Sequence, residues 1–189
     1  KFKYTGVEVV RTTMPTPIKP YVKKIIETML LTKDYNATNK VFNETYEIFK
    51  KLPYEDIAFV MGVKGYEKYA NRCNDFETVK GMPKHVKAAY YHNILLDRFG
   101  LERKYEKMTS GDKVRFFELK KPNSFGLSVI GYKYYYPKEF QTIFEIDYEK
   151  MFEKIIYSVI ERFYEAVNWT VKKPGNDAQI DLFDLLDVC

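Results

Sequence analysis

The sequence predicts an α+β fold that is mainly helical, with a small antiparallel β unit and a flexible C-terminal peptide. Apolar residues recur at helical spacing in several stretches, most clearly over residues 84–99 and 147–169. Two β-rich runs, residues 113–119 and 127–136, are separated by turn residues and predict neighbouring antiparallel strands. After Pro174-Gly175-Asn176 the pattern changes, which predicts a peptide that is separate from the folded body.

Composition sets the broad class of the protein. The 189 residues are 46% hydrophobic and 17% aromatic, which is enough to bury a core within one domain. No run approaches the roughly eighteen apolar residues of a membrane span, and no charged-then-apolar leader opens the chain, so we expect a soluble protein that is not exported. The first residue, Lys1, indicates a processed product or a piece of a longer protein. Two cysteines, Cys73 and Cys189, are too few for a disulfide framework and favour a reducing compartment, the cytoplasm.

Charge is distributed unevenly along the chain. The formal net charge is +5 at pH 7, although residues 177–189 contain four Asp and no Lys or Arg. The residues before them are therefore more basic than the whole. A basic body favours a polyanionic partner such as nucleic acid, and the acidic tail is repelled by the same partner.

The first stretch, residues 2–12, is rich in β-branched and aromatic residues and predicts a strand with a bend at Gly6. Lys3 and Arg11 project near its ends. Prolines then stop the strand and open a helix, because proline is tolerated in a first helical turn. The predicted apolar stripe of this helix is Tyr21, Ile25, Met29 and Leu30.

A second helix is predicted from about Thr38 to just before Pro53, with Val41, Phe42, Phe49 and Leu52 facing inward. Residues 54–60 are a strand candidate, and a short helical stretch that contains Lys68 is predicted over residues 66–70. Between them, Gly62-Val63-Lys64-Gly65 could bring backbone close to a phosphate, although an ordinary turn is the simpler interpretation.

Residues 84–99 predict a helix that carries His85 and His92 on one face, since they are seven residues apart. A metal site with Cys73 is disfavoured, because the spacing fits no common zinc pattern. The β unit that follows mixes cations with aromatics, which suits a nucleic-acid backbone, although the aromatics could equally belong to the core. These residues are Lys113, Arg115, Lys120, Lys121 and Lys133 with Phe116, Tyr132, Tyr134, Tyr135 and Tyr136.

The longest predicted helix begins after Asp147 as N-cap and ends near Trp169. Its predicted inward face is Phe152, Ile155, Ile156, Val159, Ile160, Phe163 and Val167. Glu145, Asp147 and Glu149 alternate as a metal-binding pair of carboxylates would on a strand. Acidic residues at a helix start also complement the helix dipole, and this second interpretation is favoured.

The tail has an amphipathic pattern. Leu182, Leu185 and Leu186 share one side of a helical turn, and three aspartates share the other. So short a segment orders only when a hydrophobic groove accepts it. Gln179-Ile180-Asp181-Leu182-Phe183 resembles the pentapeptide with which bacterial replication proteins bind the sliding clamp, and the alternative is an acidic terminus that serves only solubility.

Five groups of residues stand in order along the chain. They are Lys3-Tyr4-Thr5-Gly6-Val7-Glu8 with Thr13 and Pro15; Leu52-Pro53-Tyr54-Glu55-Asp56-Ile57-Ala58-Phe59 with Gly65-Tyr66-Glu67-Lys68-Tyr69; Pro83-x-His85-Val86-Lys87-Ala88-Ala89 with Asn93; Gly111-Asp112-Lys113-Val114 through Asn123-x-Phe125-Gly126; and Leu182-Phe183-Asp184-Leu185-Leu186-Asp187-Val188. Together they resemble the C-terminal part of family B DNA polymerases of large tailed bacteriophages. Two aromatic positions of the family's tail pattern are not aromatic here.

The resemblance implies three parts: a strand leaving the palm over residues 1–14, a thumb-like duplex-binding domain over 15–170, and a linker with a clamp-binding tail over 171–189. The implied DNA contacts are Lys3, Arg11, Lys64, Lys68, Lys84, His85, Lys87, Asn93, Lys113 and Arg115. The implied clamp contacts are Gln179, Ile180, Leu182, Phe183, Leu185 and Leu186.

The resemblance also implies what lies elsewhere. The catalytic carboxylates and their magnesium ions belong to the palm of a larger chain or remainder that also carries fingers and exonuclease, since this sequence has no Asp-x-Asp. This chain then has no catalytic residue, metal site or cofactor of its own, and is inactive alone. Its partners are primer–template duplex DNA and a sliding clamp, with no membrane, in the cytoplasm of an infected bacterial host. Two alternatives are an independent clamp-recruited DNA-binding adaptor and a small metal-dependent nuclease built on Glu145, Asp147 and Glu149.

Overall fold

The structure is a computed structural model that describes residues 14–174. Eight α-helices and three strands make up this part of the chain: α1 Lys19–Thr32, α2 Tyr35–Phe49, α3 Tyr54–Ile57, β1 Phe59–Gly62, α4 Tyr66–Ala70, α5 Lys84–Phe99, β2 Lys113–Glu118, β3 Val129–Tyr132, α6 Lys138–Ile143, α7 Tyr148–Phe152 and α8 Ser158–Ala166. A 3₁₀ turn, Thr16–Ile18, precedes α1, and a π turn, Glu153–Tyr157, joins α7 to α8. The predicted α+β fold class is confirmed.

The three strands form one antiparallel sheet in the order β1-β2-β3. In its register Val60 lies opposite Arg115, and Phe116 lies opposite Gly131. Helix α5 packs across β2 and β3. At their crossing a Cβ on Gly131 would stand 2.6 Å from Val114 Cγ2 and 3.1 Å from the Ala88 backbone, so only glycine allows this close approach.

The remaining core lies among the other long helices. Helices α1 and α2 pack as a pair, α1 also contacts α8, and α2 contacts α7. Phe42 and Phe49 of α2 both meet the ring of Phe152, with ring centroids 5.5 Å and 5.4 Å apart. Aromatic packing therefore fastens the α1–α2 pair to the helix that starts at α7.

Several predicted elements have different bounds in the structure. Helix α2 begins at Tyr35, because Asp34 caps it by accepting a hydrogen bond from Ala37 N at 3.0 Å. The predicted strand over residues 54–60 is wrong in its first half. Pro53 and the acidic pair Glu55 and Asp56 start the helical turn α3, and the strand begins only at Phe59.

The long helix was predicted correctly at its start and wrongly near its end. Asp147 is the N-cap and accepts from Lys150 N at 2.9 Å. The π turn interrupts the helix, yet Val159 and Ile160 after it are buried as predicted. Farther along, Tyr164, four residues after Ile160, is fully buried, whereas Phe163 is half-buried and Val167 is exposed. In α1, Leu30 is likewise exposed and Val22 and Ile26 are buried.

Two sets of predictions fall on residues that the structure does not describe. The N-terminal strand with Lys3 and Arg11 is one, and the tail is the other, with Gln179, Ile180, Leu182, Phe183, Leu185 and Leu186. No helix among residues 14–174 has the length and apolar character needed to cross a bilayer.

Candidate phosphate-binding site

A single buried carboxylate lies at the end of β2. Strand alternation places Val114, Phe116 and Glu118 on one face, and Glu118 is 1% exposed. Lys84 Nζ donates to its Oε1 atom at 2.9 Å, and Lys154 Nζ donates to the same oxygen. Lys150 Nζ lies 3.7 Å from Oε2, which has no hydrogen-bond partner within the described chain. Three lysines from two helices therefore meet at one carboxylate, and we call these four side chains the Glu118 cluster.

Backbone hydrogen bonds fasten the start of α7 to the end of β2. Asp147 N donates to Glu118 O at 3.0 Å, and Lys120 N donates to Glu145 O at 2.9 Å. Glu118 N donates to Met151 Sδ at 3.3 Å. Lys150 and Lys154 follow one helical turn apart on the same side. Their positions near the carboxylate are thus set by backbone contacts as well as by charge.

The Glu118 cluster is short of negative charge. Burial alone opposes ionisation of Glu118, but the hydrogen bonds from Lys154 and Lys84 outweigh it and hold the pKa of this carboxyl below its usual value. Burial lowers the pKa of Lys154, and the neighbouring Lys84 ammonium adds to this effect against the pull of Glu118. Three ammonium groups thus share one carboxylate, so an added anion is favoured there.

The N-terminus of α5 adds donors at the same place. Its N-cap is Pro83, whose side chain makes no capping hydrogen bond, and its first turn contains no acidic residue. The N–H groups of a first helical turn have no partner within the helix and carry the positive end of the dipole. Lys84 and Lys87 lie in this turn, where the Lys84 side chain is 54% exposed and Lys87 is half-buried. The combination is suited to a phosphate group.

Among residues 14–174, the predicted DNA contacts lie at both ends of the sheet. Lys84, His85 and Lys87 lie at this end of the sheet. Lys113 starts β2, about 17 Å along the strand from Glu118 at the usual rise per residue. Lys64 and Lys68 are exposed around the adjoining turn, where Gly111 N donates to Val63 O at 2.8 Å. The predicted Gly-x-x-Gly loop is therefore a turn held against the start of β2.

Two predicted contacts have structural partners in this fold. The Asn93 side chain is 7% exposed, and its amide accepts from Met108 N at 2.8 Å and donates to Met108 O at 2.7 Å. It also donates to Tyr66 Oη. Asn93 is thus a buried residue whose amide is committed to the segment before β2. Arg115, on the sheet face opposite Glu118, donates to Lys133 O at 3.0 Å.

The metal alternatives find no geometric support in residues 14–174, where no three His, Cys, Asp or Glu side chains are grouped to hold an ion. Glu145 pairs with Lys120 at 2.6 Å and Asp147 caps α7. His92 is buried, and its Nε2 donates to Glu106 O at 3.1 Å. Cys73 Sγ contacts Tyr69 O.

Sequence reasoning missed Glu118, Lys150 and Lys154. One signal for Glu118 was available, because it continues the buried register of Val114 and Phe116 and so places a charge on an apolar strand face. A buried carboxylate requires a cationic partner, although the sequence does not say which. For Lys150 and Lys154 the sequence shows only lysines at positions expected to be exposed on a helix, and nothing local indicates that they pair with Glu118.

The aromatics of the β unit divide into two groups. Phe116, Tyr132 and Tyr136 are buried in the core, and Tyr134 and Tyr135 are exposed.

No protein-family model matches the chain, and no curated protein matches it.

Proposed function

We propose that this chain is the thumb portion of a viral replicative DNA polymerase. It grips primer–template duplex DNA, and its C-terminal peptide tethers the polymerase to a sliding clamp. The observation that carries the DNA part is the Glu118 cluster beside the open N-terminus of α5. The ordered resemblance to the family B polymerases supports the assignment to a thumb.

The Glu118 cluster grips phosphate without reading sequence. The ammonium groups of Lys84, Lys150 and Lys154 donate to phosphate oxygens, and phosphate contacts position a protein on DNA but carry no base information. Glu118 orients the lysines before DNA arrives, which lowers the entropy lost on binding. It also cancels one of the three positive charges. The cluster therefore attracts a phosphate less strongly than three unpaired lysines would, which favours exchange of phosphates as the duplex advances.

The grip is tested by fluorescence anisotropy of the full chain with a recessed-end duplex over a range of salt concentrations. If six phosphates are neutralised, log K against log salt has a slope of about −5. Lys84→Ala and Lys150→Ala should each flatten the slope by about 1. Lys24→Ala removes a lysine of α1 that is also exposed, and serves as the matched control. A flat salt response in the unaltered chain, or equal weakening by Lys24→Ala, would contradict the proposal.

The tether is tested separately with a synthetic peptide of residues 177–189 titrated into a sliding clamp by calorimetry. Leu182→Ala and Phe183→Ala should each weaken binding by about 1 to 3 kcal/mol, as expected for buried anchors. Asp184→Ala, from the acidic side of the pattern, is the control and should matter much less. If Gln179→Ala weakens clamp binding, the clamp-binding motif includes the glutamine. If clamp binding is unchanged, the motif is the shorter Leu-Phe-Asp form that begins at Leu182. Absence of heat and of competition with other clamp ligands would remove the tether from the proposal.

A thumb requires a chain that supplies the palm. We therefore expect this protein to co-purify with a larger chain that carries the Asp-x-Asp carboxylates and the magnesium ions. The clamp-recruited adaptor predicts DNA and clamp binding with no such partner, so co-purification separates the two functions.

A further inference from the structure

Two consecutive tyrosines, Tyr134 and Tyr135, stand out from the surface just after β3. Their exposed fractions are 59% and 80%. A single exposed aromatic is ordinary, but two consecutive ones that line the same cavity present two aromatic side chains to solvent at one place. Burial of this surface against a ligand would be favourable.

The cavity beside them has a volume of about 180 Å³. Three of its lining residues are the tyrosines Tyr105, Tyr134 and Tyr135, and the lining is completed by His92, Lys104, Glu106 and Lys133, which add donors and acceptors. Its volume is below the roughly 300 to 1,000 Å³ of pockets for drug-sized ligands. It exceeds by several-fold the roughly 30 Å³ share of one water. A single planar ring system with polar edges matches this size and lining.

The exposed pair is held between two fixed residues. Lys133 Nζ forms ion pairs with Glu106 at 3.1 Å and Asp112 at 3.2 Å, and its carbonyl accepts from Arg115. On the other side Tyr136 is 3% exposed and packs against Phe117, with ring centroids 5.4 Å apart. Tyr134 and Tyr135 are therefore presented by a short segment anchored at both ends, which reduces the entropy that a ligand must overcome.

We propose that this cavity takes one unpaired nucleobase, which stacks on the Tyr134–Tyr135 surface while its polar edge meets Lys104, Glu106 or Lys133. The proposal rests on the DNA grip described above and adds a contact for single-stranded DNA next to the duplex. Aromatic side chains accept any base, because every base has a π face, so the contact is sequence-tolerant. Its contribution is largely independent of salt, unlike that of the Glu118 cluster.

The test uses the full chain and a duplex whose single-stranded overhang carries 2-aminopurine, a base whose fluorescence falls when it stacks. We expect quenching at one or two overhang positions, and loss of that quenching in Tyr135→Ala. Affinity for the overhang duplex should fall about tenfold in this variant, while affinity for a blunt duplex stays unchanged. Tyr135→Phe keeps the ring and should retain the quenching. Leu31→Ala, which truncates a side chain that is 71% exposed in α1, is the matched control.

The outcomes separate this site from the grip. Blunt-duplex binding with no quenching at any overhang position would overturn the base site and leave the proposed function intact. If no duplex binds, the proposed function fails, and the cavity is then probed with free 2-aminopurine deoxyribonucleoside. Quenching that Tyr135→Ala abolishes would keep a nucleobase site, and its absence at millimolar nucleoside would remove it.

Discussion

Lys84, the first residue of α5, places its ammonium nitrogen 2.9 Å from the carboxylate of Glu118, the last residue of β2. The two residues are 34 positions apart in the sequence. Glu118 is 1% exposed, whereas the Lys84 side chain is 54% exposed. One end of the pair is thus fixed in the core and the other meets solvent, so the core carboxylate holds a surface cation in place.

Replacement of Glu118 by Gln should weaken the fold and strengthen DNA binding. The glutamine keeps the size of the side chain but leaves three lysines without their shared counter-ion, so we expect a loss of about 1 to 3 kcal/mol in the free energy of unfolding. The same change raises the local positive charge, and affinity for duplex DNA should rise several-fold at low salt. Urea unfolding and anisotropy measure the two effects. Glu145→Gln removes a partner that is 72% exposed and should change stability by less than about 0.5 kcal/mol. Equal effects of the two substitutions would show that the buried Glu118 contributes no more to stability or DNA binding than an exposed ion pair does.

His92 should make the protein sensitive to mild acid. Burial lowers the pKa of His92 to about 4, against an ordinary value of 6.5. Between these values the unfolded chain binds a proton that the folded chain does not, so stability falls as pH decreases from about 6.5 to about 4. The difference corresponds to roughly 3 kcal/mol. Urea unfolding at pH 7 and at pH 4.5 should show a smaller acid loss in His92→Gln than in the unaltered chain. His85→Gln, at the other histidine of the chain, is the control, since His85 is only half-buried.

Gly131→Ala should destabilise the contact between α5 and the sheet. The new methyl group meets Val114 Cγ2 at 2.6 Å and the Ala88 carbonyl at 3.1 Å, and the Ala88 backbone can yield only if α5 moves. Overpacking of this kind costs about 1 to 3 kcal/mol. Gly62→Ala is matched to it, because no atom lies within 4 Å of a Cβ at that position. Thermal unfolding followed by circular dichroism should show a lower midpoint for Gly131→Ala alone. An unchanged midpoint would mean that α5 does not lie this close to β3.

Ile156→Asp should unfold the domain. Ile156 is fully buried in the π turn, and an unpaired charge there costs several kcal/mol against a total stability of about 5 to 15 kcal/mol. Phe163→Asp should cost less, because Phe163 is only half-buried, whereas its neighbour Tyr164 is fully buried. Far-ultraviolet circular dichroism at 25 °C distinguishes the two variants. The reverse order of severity would show that Phe163 is buried more deeply in the core than Ile156.

Local chemistry in the sequence determined most of the elements. Residues 84–99 form α5 with the predicted bounds, because Pro83 permits a helix start and Gly100 takes the left-handed conformation that ends it. Asp147 caps the long helix as predicted, and the turn after residue 120 separates two antiparallel strands. Capping, turn formation and helical spacing depend on residues within about four positions of one another, so a single sequence contains the information needed to predict them.

The tertiary structure alone decided the candidate site. Lys84 and Lys154 reach Glu118 across 34 and 36 positions of sequence, and the spacing of none of the three predicts that they meet. A polar residue such as Asn93 can either contact DNA or form hydrogen bonds within the protein, and the sequence does not distinguish the two. The path of residues 101–112 brings the Met108 backbone to the Asn93 amide and so decides the outcome. Phe163 and Tyr164 continue the helical spacing from Val159 and Ile160 respectively, and only the packing decided that Tyr164 is the buried one. Contacts between distant segments depend on how whole elements pack, and packing selects among side chains that local spacing treats as equivalent.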